Sequence, residues 1–118
     1  MLGLGTWRAD NTADVVYAAI KAGFRRIDCA FEYDNETQVG SGIQRAIEDG
    51  IVTRGDPTVT TKLWCTFHKP EYVVRQCRQS LKNLQLDYLD AFLIHWPIAF
   101  EQYEKDSMKR IESITEDS

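Results

Sequence analysis

The 118-residue chain predicts an α/β fold built on a parallel sheet, and three observations carry that prediction. Apolar strand-like runs alternate with stretches of helical periodicity, the first two helical stretches close on Gly23 and Gly50, and no hairpin signal separates the strands. Strands joined only by helices must run parallel, with right-handed crossovers. In order, "MLGLGTW" is a short glycine-broken strand, and "DNTADVVYAAIKAG" is a helix with polar cap candidates before it and Val16, Ala19 and Ile20 at helical spacing. "FRRIDCA" is the second strand. "DNETQVGSGIQRAIEDG" is the second helix, with Val39, Ile43 and Ile47 at four-residue steps. After the turn signal "RGDP", β-branched "TVTTKLW" is the third strand. "KPEYVVRQCRQSLKNL" opens on Pro70 and sets Val73, Cys77 and Leu81 on one helical face, and "YLDAFLIHW" is the fourth strand.

Composition excludes several function classes. With 43% hydrophobic and 27% charged residues the chain is an ordinary globular one, sufficient for a single core. A net charge of −4, spread rather than blocked, offers no field for nucleic acid or an anionic membrane. Cys29, Cys65 and Cys77 form no C-x-x-C pair, which argues for reduced thiols and against a disulfide framework or a zinc site. No run approaches the roughly eighteen apolar residues of a membrane span, and the N-terminus lacks the pattern of a secretory signal. The expected address is the cytoplasm.

The unusual polar residues fall at one place in the repeat. Asp28 closes the second strand, Tyr33 lies in the loop after it, Lys62 comes near the end of the third strand, and His95 ends the fourth. All are at carboxyl ends, which share one edge of a parallel sheet whose strands lie about 4.8 Å apart. Each has a plain structural alternative: Asp28 as a turn cap, Tyr33 as a loop aromatic over the core, Lys62 as a solvated strand end, His95 as a structural histidine. Their coincidence at one rim favours a site.

Four separated motifs, "GLGTW", "RRIDCAFEYDNETQVG", "TTKLWCT" and "LDYLDAFLIHWP", occur in an order and spacing that resembles the aldo-keto reductase family. That resemblance implies an NADP-dependent oxidoreductase built on a TIM barrel, of which this chain supplies the N-terminal half, residues 1–100. It implies that Asp28, Tyr33, Lys62 and His95 are the catalytic tetrad, and that Gly5, Thr6, Trp7 and Asp28 lie beside the NADP(H) cofactor. It further implies that Trp7, Tyr33, Trp64, His95 and Trp96 face the substrate, the plain alternative for each tryptophan being a core aromatic. The chemistry is coherent. A tyrosine is a weak proton donor at neutral pH, its ordinary pKa being about 10, and a nearby ammonium stabilises the phenolate left behind. A carboxylate keeps that ammonium charged, and a neutral imidazole can donate an N–H to the carbonyl oxygen.

A closed barrel of this kind has eight strands and typically about 250 residues, so the expected fold is incomplete, about four strands of eight. Most of the cofactor grip would then lie outside the chain. The first and fourth strands would be open edges for another chain to cover. Residues 101–118 read as a polar tail that departs from the family pattern. The expected function is NADPH-dependent reduction of aldehydes or ketones to alcohols by a partial chain, with a small-molecule carbonyl substrate. A catalytically inactive fragment acting through protein binding, or a regulatory barrel relative, remains the alternative. Arg26, on the same strand face as Asp28, needs a partner in a closed interior that the sequence does not identify.

Overall fold

Successive strands lie side by side in the order of the chain, as a run of β/α units demands. A computed structural model describes residues 2–99. The elements are β1 (Gly3–Gly5), α1 (Thr12–Lys21), β2 (Arg26–Asp28), a one-turn 3₁₀ helix (Phe31–Tyr33), α2 (Glu36–Glu48), β3 (Thr58–Leu63), a second 3₁₀ turn (Cys65–Phe67), α3 (Pro70–Leu84) and β4 (Ala91–Ile94). Sheet order is β1-β2-β3-β4, and all three pairings are parallel. The tail expected at 101–118 lies outside the described residues. No described helix is long and apolar enough to cross a membrane.

The helices end where the backbone must turn back to the next strand. Gly23 and Gly50 adopt φ of 110° and 74°, and the residues after them, Phe24 and Ile51, donate their N–H groups back to Ala19 and Ala46. The third helix closes in the same way on Gln85, φ 57°, with the Leu86 N–H donated to the Leu81 carbonyl. Here a side-chain amide, Gln44 Nε2, donates to the Gln85 carbonyl at 2.9 Å and helps to hold a conformation that glycine would adopt freely. At the other ends the expected polar caps are not used as such: Asn11 precedes α1 in a left-handed conformation without a side-chain cap bond.

One face of the sheet packs under the helices. Ile27, Cys29 and Val59 meet Val16 and Ile20 of α1, Val39, Ile43 and Ala46 of α2, and Leu84 at the end of α3. A smaller cluster of Phe31, Leu63 and Phe67, with Phe92 and Tyr72 against it, continues this layer toward the carboxyl rim. The register is pinned at the start of β4, where Asp90 accepts the Val59 N–H at 2.8 Å and returns its own N–H to the Val59 carbonyl.

The apolar face of α3 meets the core through Val73 and Leu81, but a neighbouring stripe is covered more deeply. Val73, Cys77 and Leu81 are only half buried; the residues that are fully covered are Gln76, Ser80 and Leu84. Two of those three are polar, so counting apolar residues picks the neighbouring stripe. Arg26 lies exposed on the face of the sheet without helices.

Candidate active site

The carboxyl rim gathers the polar residues from three strands and one turn. Gly5 pairs with Asp28, Asp28 pairs with Thr60, and Lys62 pairs with Leu93, so Asp28 and Lys62 stand on the same uncovered face two residues out of step. A lysine side chain spans that offset. Lys62 Nζ donates to Asp28 Oδ2 at 2.9 Å and to the Cys29 carbonyl at 2.7 Å, and lies 3.3 Å from the Tyr33 hydroxyl. The lysine side chain is 13% exposed and the aspartate 49%, so the ion pair is open to water mainly on its acid side.

Tyr33 sits in the 3₁₀ turn rather than in open loop, which is a refinement of the expected placement. Its N–H bonds the Ala30 carbonyl, and Asp34 behind it takes φ 58°, folding the ring back over the lysine. The ammonium lies 4.9 Å from the Tyr33 ring centre. His95 arrives from β4, its N–H held by the Leu63 carbonyl at 3.1 Å. The imidazole packs edge-on against Tyr33 and Trp64, with centres 5.6 and 5.5 Å away, and stacks on Trp96 at 5.8 Å. Burial, and then the Lys62 charge, push its pKa down from the ordinary histidine value while Asp28 partly offsets them, so the ring is neutral at pH 7. The buried Nδ1 has no hydrogen-bond partner among the described residues.

The remaining predicted residues divide. Thr6 is buried and spends both its N–H and its hydroxyl on the Asp28 carbonyl, at 3.1 and 2.9 Å. It ties β1 to the strand end that carries the aspartate. Gly5 faces open space: a Cβ placed there meets nothing within 4 Å. Trp7 is 64% exposed under the Arg8 guanidinium, whereas Trp64 and Trp96 flank the imidazole. The buried Cys29 and Cys65 thiols are pushed up by desolvation, which makes them poor nucleophiles.

Sequence reasoning missed the supports behind this rim. Asn35 Nδ2 donates to the Thr6 carbonyl at 2.7 Å, linking the start of α2 to β1. Its neighbour Glu36 is buried and accepts from Thr61 Oγ1 at 2.7 Å, Ser80 Oγ at 3.1 Å and Asn83 Nδ2 at 3.2 Å. Desolvation raises its pKa, and the three donors hold it back. A polar stripe at Gln76 and Ser80, four residues apart on α3, was the available signal.

Parallel β/α units with a lysine, a carboxylate, a phenol and a neutral imidazole gathered on the carboxyl rim have the architecture of a segment of a (β/α)₈ barrel. The model of the Aldo/keto reductase family matches residues 1–115, past the fourth strand and into the segment read as a polar tail. The chain belongs to the aldo/keto reductase family. It is 51% identical over 100 residues to an NAD(P)H-dependent D-xylose reductase of Pachysolen tannophilus, covering 85% of this chain and 31% of that one. Against an NADPH-dependent aldose reductase of Saccharomyces cerevisiae the identity is 46% over 103 residues, 86% of this chain and 32% of the other. A crystal structure of a Bombyx mori aldo-keto reductase in complex with NADP superposes with a TM-score of 0.81 at 46% identity, covering 85% of this chain and 35% of that one. The chain thus spans about a third of the length of the curated relatives it matches.

Proposed function

We propose that this chain carries the proton-transfer half of an NADPH-dependent reduction of aldehydes or ketones to alcohols, with Tyr33 as acid. The observation that supports this most directly is the position of Lys62 Nζ, bonded to Asp28 and 3.3 Å from the Tyr33 oxygen. When the Tyr33 proton passes to the carbonyl oxygen, the ammonium stabilises the negative charge developing on the phenolic oxygen. Asp28 keeps the lysine charged and fixed. Neutral His95 donates its Nε2–H to the substrate oxygen, a tautomer that leaves the buried, unpartnered Nδ1 as a bare acceptor. Trp64 and Trp96 form an aromatic wall on two sides of the imidazole.

The nicotinamide cofactor supplies hydride to the carbonyl carbon when bound. Gly5, Thr6, Trp7 and Asp28 would lie beside it. The residues fit: no side chain stands on Gly5, and the Trp7 ring, although it lies under Arg8, is 64% exposed beside it. Thr6, with its hydroxyl spent on Asp28, serves by positioning the strand end. The names of the relatives make aldoses, D-xylose among them, the first substrates to try. Cys29, Cys65 and Cys77 are all free, which supports a cytoplasmic address.

The test is to titrate the purified chain with NADPH and follow the loss of its absorbance with a panel of aldehydes and aldoses. Turnover that falls about a hundredfold or more in Lys62→Met supports the reading. A folded chain with neither cofactor binding nor turnover rejects catalysis by these residues on their own. A second reading, that the chain works by binding another polypeptide across the β1 and β4 edges, draws on the exposure of Leu93, Ile94, Trp96 and Ile98. Sedimentation of the chain distinguishes it, since a strictly monomeric chain that captures no second strand would exclude it.

A further inference from the structure

The end of β3 contains a gap in its ladder that one side chain fills. The Thr60 carbonyl is taken by the Cys29 N–H at 2.7 Å, on the β2 side. In a parallel strand the polar groups of alternate residues point the same way, so the Lys62 carbonyl and the Trp64 N–H also face β2. But β2 ends at Asp28, and after Cys29 the chain turns away into the 3₁₀ helix. With no continuing β2 strand beside them, these two groups must find partners from outside the sheet.

Gln76 of α3 occupies that vacancy. Its side chain is fully buried; Oε1 accepts the Trp64 N–H at 2.7 Å and Nε2 donates to the Lys62 carbonyl at 3.0 Å. A single planar amide thereby does what the Phe31 backbone would have done had β2 continued in register. Nε2 also lies 3.5 Å from Ser80 Oγ, which donates to Glu36, the acceptor for Thr61. Thr61, Lys62 and Trp64 are therefore all tied to the helical layer through one buried polar network.

We propose that Gln76 is a positioning residue for this rim, bracketing Leu63 so that Lys62 stays under Tyr33 and the Trp64 ring stays against His95. For its bearing on catalysis the proposal rests on the carbonyl-reduction reading above; its structural content does not. The same amide sets the backbone from which both side chains depart: on one side the lysine bonded to Asp28, on the other the indole 5.5 Å from the imidazole.

The experiment compares the full chain with Gln76→Met, which conserves length and apolar volume but neither hydrogen bond. Two signals are read by NMR, neither of which requires turnover. The first is amide exchange at Trp64, expected to quicken about tenfold or more relative to Val59 in the variant. The second is the pH titration of the His95 ring, faced by Lys62, Asp28 and Tyr33; its midpoint is expected to rise toward the ordinary histidine value as Lys62 and Trp64 withdraw. If both signals stay at their parental values in a folded variant, the proposal is wrong. Should the variant not fold, the parent decides: a Trp64 amide exchanging as fast as exposed loop amides overturns the clamp, and protection equal to that of Val59 supports it. A parent without turnover whose two signals still move retains the clamp and rejects the catalytic reading.

Discussion

The two faces of the sheet do opposite work, although they are made of alternating residues of the same strands. Ile27 is buried and Asp28 half open; Thr61 is buried and Lys62 reaches the rim. The helix-covered face is an apolar layer in which Val16, Ile20, Val39, Ile43 and Val59 are fully enclosed. The other carries Arg26, Asp28, Lys62 and His95, and leaves Leu93 49% exposed. Apolar packing is thus concentrated on one side and the candidate site on the other. What joins them is a set of buried polar groups, Glu36, Gln76 and Ser80, that link the helices to β3.

Substitutions on the two faces should therefore differ sharply. Ile43→Ala, on the covered face, is expected to cost about 3 kcal/mol in chemical denaturation, whereas Leu93→Ala should cost under about 0.5 kcal/mol. Equal losses would abolish the contrast. Glu36→Ala tests the link between the layers: it strands the donors of Thr61, Ser80 and Asn83 and should cost about 2–3 kcal/mol. Gly40→Ala tests how closely the helices must approach. Its new Cβ would sit 2.6 Å from the Leu84 carbonyl oxygen, which is backbone and cannot swing aside. A destabilisation of about 2 kcal/mol is expected, opposite in sign to the gain of about 1 kcal/mol from helix propensity.

The smallest effects concern pH. The folded pKa of His95 is depressed, so its contribution to stability is present above the ordinary value near 6.5 and is lost as pH falls below it. The folded pKa of Glu36 is raised, so its contribution is full below about 4.5 and declines as pH rises through the folded value. Denaturation curves over this range should lose the first slope in His95→Asn and the second in Glu36→Gln. A Glu36→Gln chain with the parental slope would show that the carboxyl is not desolvated.

The order of elements and the four polar positions at the carboxyl rim were legible in the sequence, because period-two and helical patterns place strand ends and a parallel sheet puts those ends on one edge. The buried polar stripe of α3 was not. Gln76 is internal because β2 stops short of the residues that would pair with the end of β3, a consequence of pairing that no local pattern carries. Gln85 in a left-handed cap is similar, since it depends on Gln44 from another helix. Trp7, Trp64 and Trp96 looked alike as residue types, yet Trp64 and Trp96 flank the imidazole while Trp7 stands exposed under Arg8. Side-chain packing, rather than strand position, separates them.

The central claim, that the rim transfers a proton from Tyr33, is tested most directly by Tyr33→Phe. The substitution removes one oxygen and keeps the ring that packs on His95, so folding stability should change by less than about 1 kcal/mol. NADPH-dependent reduction of an aldehyde is predicted to fall at least about a hundredfold, with cofactor affinity little changed. Parental turnover in a folded Tyr33→Phe chain would contradict the account.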